Sequence, residues 1–146
     1  MTRVFLDACV YFAGFYSEGG ASELIMELAR RKKLAVYASR LVLREADRNL
    51  RIKASVKNAK AFRQFLNQTK IQIISPPSDE EISYYESYIH PKDAPILAAA
   101  VKSEAAFLIT LDHRHFFTPQ VLSKVLKPKI MTPGDFVREI YLKGRM

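Results

Sequence analysis

Residues 3–10, RVFLDACV, run from an apolar segment straight into an aspartate and then into a second apolar segment. Val4, Phe5 and Leu6 show no alternating polar face, the pattern of a strand buried on both sides in a parallel sheet. Asp7 follows at the carboxyl end of that strand, where open α/β sheets bind their ligands. It is therefore either a helix cap or part of a site. The pattern recurs in FLITLD, residues 107–112, a second apolar strand that ends in an acid. Two strand-end acids point to a shared pocket.

Between these strands the hydrophobic period switches repeatedly. Residues 8–15 read as a short helix, 17–20 as a turn, and Ala21, Leu24, Ile25 and Leu28 as the inner stripe of a second helix closed by the basic run 30–33. LAVYA, residues 34–38, is strand two, and Ser39 caps a helix reaching about Lys53. A helix over 55–69 carries Ala59, Phe62 and Leu66 on one stripe. IQII, residues 71–74, is strand three. Ser78 and Glu81 have capping-box spacing and open a helix with Ile82, Tyr85 and Ile89 inward. Asp93 begins an alanine-rich helix over 94–104, with Pro95 in its first turn. Strand four spans 107–111, a charged turn follows Asp112, and 129–131 is a short edge strand. Thr132, Pro133 and Asp135 start a final helix whose apolar face is Phe136, Val137, Ile140 and Tyr141. Strands alternating with helices predict one α/β domain over residues 1–146, an open and mostly parallel sheet with helices on both faces.

At 146 residues the chain can bury a core without metal or disulfide support. The single cysteine, Cys9, excludes a disulfide scaffold, fits a reducing cytosol, and reads as a small buried core residue. No stretch approaches the ~20 apolar residues of a membrane span, and Asp7 interrupts the first apolar segment before any cleavage site, so a cytoplasmic location is expected. Lys and Arg outnumber Asp and Glu by 23 to 15, a formal charge of +8 that suits a polyanionic partner such as nucleic acid.

Four acids stand where this architecture brings chain segments together: Asp7, Glu45 in the third helix, Asp93 and Asp112. Each has an ordinary role available. Asp7 and Asp112 serve as caps, Asp93 precedes a helix, and Glu45 pairs with Arg48 or Asn49. Spacing does not give the strand order; with strands one and four adjacent, Asp7 and Asp112 face one another across the switch-point crevice. Arg40, Arg44, Arg48 and Arg51 line one helix face, either solvated or a track for RNA. His113 and His115 lie next to Asp112 as candidate metal ligands or proton donors, but they lack a third soft ligand at zinc spacing and, with Arg114, read rather as surface or phosphate-contacting residues. Tyr84, Tyr85 and Tyr88 read as core and dimer contacts.

The segments FLDACV, LREADRNL, KDAPILAAA and ITLDHRHF, in this order and at these distances, resemble the PIN-domain ribonucleases, including the VapC-type toxins of toxin–antitoxin pairs. The resemblance covers nearly the whole chain. It implies a three-layer α/β/α fold with a five-stranded sheet in order 3-2-1-4-5, a Mg²⁺ or Mn²⁺ site of Asp7, Glu45, Asp93 and Asp112, and metal-dependent RNA cleavage. Thr110 matches the family's frequent hydroxyl residue two positions before the fourth acid. A homodimer and an antitoxin protein are further implications. In one respect the chain departs from the family: many members carry another acid just before the phenylalanine of the last motif, where this chain has His115 and then Phe116.

Clustered carboxylates repel, which raises at least one pKa unless a cation is present. Magnesium answers them with an oxygen-ligated site that keeps waters of its own. The acids would then hold the ion and the surrounding cations the RNA. Two other readings compete: a catalytically inert RNA-binding or complex-forming module on the same scaffold, and an unrelated hydrolase of small phosphate esters.

Overall fold

A computed structural model describes residues 1–146. Five strands, β1 (Thr2–Leu6), β2 (Leu34–Ala38), β3 (Gln72–Ile73), β4 (Phe107–Ile109) and β5 (Lys129–Met131), form one sheet in the order β3-β2-β1-β4-β5. Every pairing is parallel. The helices α1 (Ala8–Tyr16), α2 (Ala21–Arg30), α3 (Arg40–Lys53), α4 (Val56–Gln68), α5 (Asp79–Glu86) and α6 (Ala94–Lys102) cover both sides of it, the three-layer α/β/α arrangement. Val4, Phe5 and Leu6 are each 0% exposed, as their unbroken apolar run requires of a central strand.

The chain winds from β1 outward through β2 to β3, then returns to β4 on the other side and ends outward at β5. The order reverses between β1 and β4, so the crevice of this sheet opens at their carboxyl ends. Register fixes what faces it: Leu6 pairs with Ile109, the Asp7 N–H donates to the Ile109 carbonyl at 3.0 Å, and the Thr110 N–H to that of Met131 at 3.0 Å. Asp7 and Thr110 are therefore the first residues past the paired ladder, side by side.

Several expectations change in detail. β4 stops at Ile109 rather than 111, and β3 is reduced to two residues. On α4 the buried stripe is Ala59, Phe62 and Phe65, with Leu66 half-buried, because its one-residue step from Phe65 turns it toward the rim. On α5 Ile82 and Tyr85 are only half-buried and Tyr84 is 57% exposed, so Tyr84 is no core residue. The charged turn after Asp112 is helical, α7 (His113–Phe116), followed by α8 (Pro119–Lys124) with the Thr118 side chain accepting from the Val121 N–H. The final helix is split into α9 (Pro133–Phe136) and a π-helical turn over Val137–Tyr141. No helix is long and apolar enough to cross a membrane.

An aromatic cluster ties α1 to α4. The Tyr11 ring lies 5.4 Å from Phe62 and Phe15 lies 5.6 Å from Phe62 and 5.3 Å from Phe65, all tilted or edge-on. The Arg30 guanidinium caps the cluster, 5.7 Å from the Phe15 ring centre and 5.3 Å from that of Phe65.

Candidate functional site

Asp7 combines both roles open to it. Its Oδ1 accepts from the Ala8 N–H at 2.8 Å, capping α1, and its Oδ2 accepts from the Thr110 hydroxyl at 2.8 Å. That hydroxyl, fully buried, also accepts from the Asp112 N–H at 3.1 Å. Thr110 thus ties the ends of β1 and β4 through side chains. Burial pushes the Asp7 carboxyl above the usual carboxylate range, opposed by these hydrogen bonds and reinforced by the charge of Asp93.

Asp112 caps α7, its Oδ1 accepting from the His115 N–H at 3.1 Å. Asp93 stands at the N-terminus of α6 and makes no side-chain cap hydrogen bond there. The ordinary explanation for an aspartate at this place therefore fails for Asp93. Its carboxyl is 8% exposed and its Oδ2 is buried without a hydrogen-bond partner. His115 Nδ1 approaches that oxygen to 2.8 Å, but off hydrogen-bonding alignment. Burial raises the Asp93 carboxyl; His115 lowers it and the charge of Asp112 raises it.

Glu45, half-buried on α3, forms no ion pair with Arg48 and no bond with Asn49. Its carboxyl is raised by burial first and by the charge of Asp7 next, with Lys92 pulling down and Asp93 pushing up. The four acids thus act on one another electrostatically across the crevice. The tightest grouping within it is Asp93, Asp112 and His115, whose ligand atoms lie within 4.8 Å of one another; Asp7 and Glu45 stand outside that trio.

A divalent cation fits this donor set. Carboxylates raised by burial and mutual repulsion, one with an oxygen that no hydrogen bond satisfies, are what a hard cation relieves. A separate cavity of about 820 Å³ is lined by residues such as Phe15, Glu23, Asn58 and Arg138 and by none of Asp7, Glu45, Asp93 and Asp112.

The arginine row is split. Arg51 Nε donates to Asp47 at 2.9 Å, and Arg63 of α4 donates to the same carboxylate at 2.8 Å, so Arg51 belongs to a clamp between α3 and α4. Arg40, Arg44 and Arg48 are exposed and form no ion pair. Arg114 is also exposed, and His113 turns away to lie 5.0 Å from the Phe117 ring.

Three neighbours of the acids escape a reading by residue type. Cys9 is half-buried, not a core residue, with its thiol 3.5 Å from both Asp7 Oδ2 and Thr110 Oγ1. Burial, then the Asp7 charge, push that thiol up to about 12, so it is protonated and unreactive at neutral pH. Lys92 bears on both Glu45 and Asp93. His90 stacks on His115 with ring centres 5.0 Å apart. Their signal was adjacency: both flank Asp93 in the loop HPKDAP.

Solved structures share this fold at low identity. The chain is similar to VapBC2 from Rickettsia felis bound to a DNA fragment from its promoter, at 15% identity and a TM-score of 0.60, covering 90% of this chain and 98% of that one. It is similar to VapC20 from Mycobacterium tuberculosis, described as a sarcin-ricin loop cleaving toxin, at 18% identity and a TM-score of 0.57, covering 76% and 91%. A third likeness is to FitAcB from Neisseria gonorrhoeae, at 16% identity and 0.60, covering 90% and 98%. No curated protein matches the chain in sequence. A family model described as the PIN domain matches residues 3–114, which hold the first four strands, all four acids and the crevice between β1 and β4. With the fold and this match in agreement, the chain belongs to the PIN domain family.

Proposed function

We propose that this protein is a divalent-metal-dependent endoribonuclease, with Mg²⁺ or Mn²⁺ as cofactor, and the toxin half of a toxin–antitoxin pair. The observation that carries the proposal is the buried Asp93 Oδ2, without a hydrogen-bond partner, among acids from four separate elements. Asp7, Asp93 and Asp112, with Glu45 alongside, would hold a divalent ion, which would supply a water of lowered pKa for attack on phosphorus and offset charge growing on the phosphate.

The chain's own residues do the rest. Thr110 holds Asp7 Oδ2 toward the crevice. Glu45, its carboxyl raised by burial and by the charge of Asp7, accepts a proton from the attacking water. Arg40, Arg44, Arg48 and Arg114 supply the exposed cations that hold the RNA backbone, with His113 exposed beside them. The VapC-type neighbours support a toxin role; a homodimer, an antitoxin covering the crevice and a cytoplasmic location belong to the same reading.

Incubated with a mixed pool of structured and single-stranded RNAs, the protein is expected to give discrete products with Mg²⁺ or Mn²⁺ and none with excess chelator. No product in any condition, with calorimetry showing no ion binding, would overturn the reading and leave an inert binding module.

Thr110 provides a second check. Thr110→Val keeps the volume but removes the hydroxyl that positions Asp7 and satisfies the Asp112 N–H. Divalent-ion affinity by calorimetry is expected to fall ~10–100-fold, the range for partners that orient a metal ligand, while Thr110→Ser retains it.

A further inference from the structure

His115 occupies the place where the resemblance leads one to look for another carboxylate, and it is built into the acid cluster. Its Nδ1 lies 2.8 Å from Asp93 Oδ2 and 3.1 Å from Asp112 Oδ2. Two ligand atoms at right angles on an ion with bonds of ~2.1 Å lie ~3.0 Å apart, so both separations match neighbouring positions in one coordination sphere. The ring is positioned rather than loose. The His115 backbone N–H donates to Asp112 Oδ1 at 3.1 Å, and the next residue, Phe116, anchors α7 in the core at 0% exposure. His90 stacks on its face at an interplanar angle of 25°, and His90 is steadied by accepting the Lys92 N–H on its Nδ1 at 3.1 Å.

The ring nitrogen has Asp112 Oδ2 as its hydrogen-bond partner at 3.1 Å, and that bond leaves Asp93 unanswered. An imidazolium serving only to neutralise Asp93 would align a hydrogen bond with it, yet Asp93 Oδ2 remains buried and without a hydrogen-bond partner 2.8 Å from the ring nitrogen. The nitrogen and the carboxylate oxygens of Asp93 and Asp112 all lie within 4.8 Å of one another.

We propose that His115 is a nitrogen ligand of the metal centre, so that the site selects a first-row transition ion of the Mn²⁺ class over Mg²⁺. The proposal rests on the nuclease reading and narrows its cofactor. Mg²⁺ takes oxygen ligands and near-ideal octahedral geometry, whereas first-row divalent ions accept imidazole. Replacing one carboxylate position by imidazole also removes a negative charge, which lowers affinity for a hard ion most.

Pulsed EPR of the Mn²⁺-loaded protein tests the bond directly. Modulation from an imidazole ¹⁴N is expected in the wild type, shifted to the ¹⁵N frequency when the protein is made with ¹⁵N-histidine, and absent in His115→Ala but present in His113→Ala and His90→Ala. In calorimetry, His115→Asp is expected to lower the ratio of Mn²⁺ to Mg²⁺ affinity by at least about tenfold, the scale on which changes around a metal ligand register. Bound Mn²⁺ without nitrogen modulation, or modulation that survives His115→Ala, would overturn the assignment of His115 and leave the nuclease reading standing. Failure of the wild type to bind either ion would overturn both. The labelled wild type needs no substitution, so the test does not depend on how the variants fold.

Discussion

Asp7→Asn is expected to lower RNA cleavage by at least ~10²-fold, beyond what loss of an outer partner costs a metal site, and at the same time to raise the melting temperature at neutral pH without added metal. The two effects have one cause. Burial raises the Asp7 carboxyl in the folded chain above its ordinary value of 3.8, so the folded state binds the proton more tightly than the unfolded state does. Stability from this group is fully present below the unfolded pKa and is lost as pH rises from there through the raised folded value. Above that window the wild type carries that loss, and the neutral amide does not. Asn can still cap α1 through Oδ1 and can donate to Thr110 Oγ1 in place of accepting from it. The gain should therefore vanish on acidification below the window. Divalent ion should reverse the order, since at 100 times its Kd a ligand stabilises the state it binds by about 2.7 kcal/mol, and the variant gives up this ion-dependent gain. Melting curves across pH, with Mn²⁺ and with chelator, check both signs. An Asp7→Asn protein less stable than the wild type at pH 7 in chelator would contradict the account of Asp7 as a destabilising charge.

The second large effect lies far from the chemistry. Phe62→Ala is expected to destabilise the protein by ~3–5 kcal/mol in urea unfolding, a large share of the ~5–15 kcal/mol that holds an ordinary domain. Phe62 is 0% exposed and edge-packed against both Tyr11 and Phe15, so its removal opens a cavity between α1 and α4 that neither helix can close alone. The Arg63–Asp47–Arg51 clamp joins α4 to α3 instead, and both guanidinium groups are exposed beside a half-buried Asp47, where such pairs contribute little. Because α1 starts at Asp7, loosening it also blurs the crevice. A loss below about 1 kcal/mol would show that the ring cluster does not fasten α1 to α4.

Those elements whose period is unambiguous were legible from residues alone: the apolar runs of β1, β2 and β4, the capped starts of α3 and α5, and the alanine-rich α6. Strand order was not, because it depends on which strand ends the chain carries back past β1, and spacing holds no record of that. The short helices α7 and α8 were missed although Thr118 and Pro119 repeat the Thr132–Pro133 start signal, since four or six residues give no period to count. The π-helical turn over 137–141 fails for the same reason: its apolar residues fit 3.6 residues per turn as well. The four acids could be named, yet their partners could not. Arg51 looked like one of four equal cations until Asp47, four residues back, engaged it. His115 was set beside His113 by adjacency, whereas one helical turn sends the first ring to Phe117 and the second to Asp93 and Asp112.

Main-chain pairing, rather than any particular apolar side chain, sets Asp7 beside Thr110: the Asp7 N–H to Ile109 and the Thr110 N–H to Met131 continue the two ladders by one step each. Swapping Val4 for Ile or Leu108 for Val would leave that step untouched. Inheritance in such a fold can therefore preserve the alignment of two strand ends while the letters around it are rewritten, which is how chains sharing 15–18% of their residues keep a common outline.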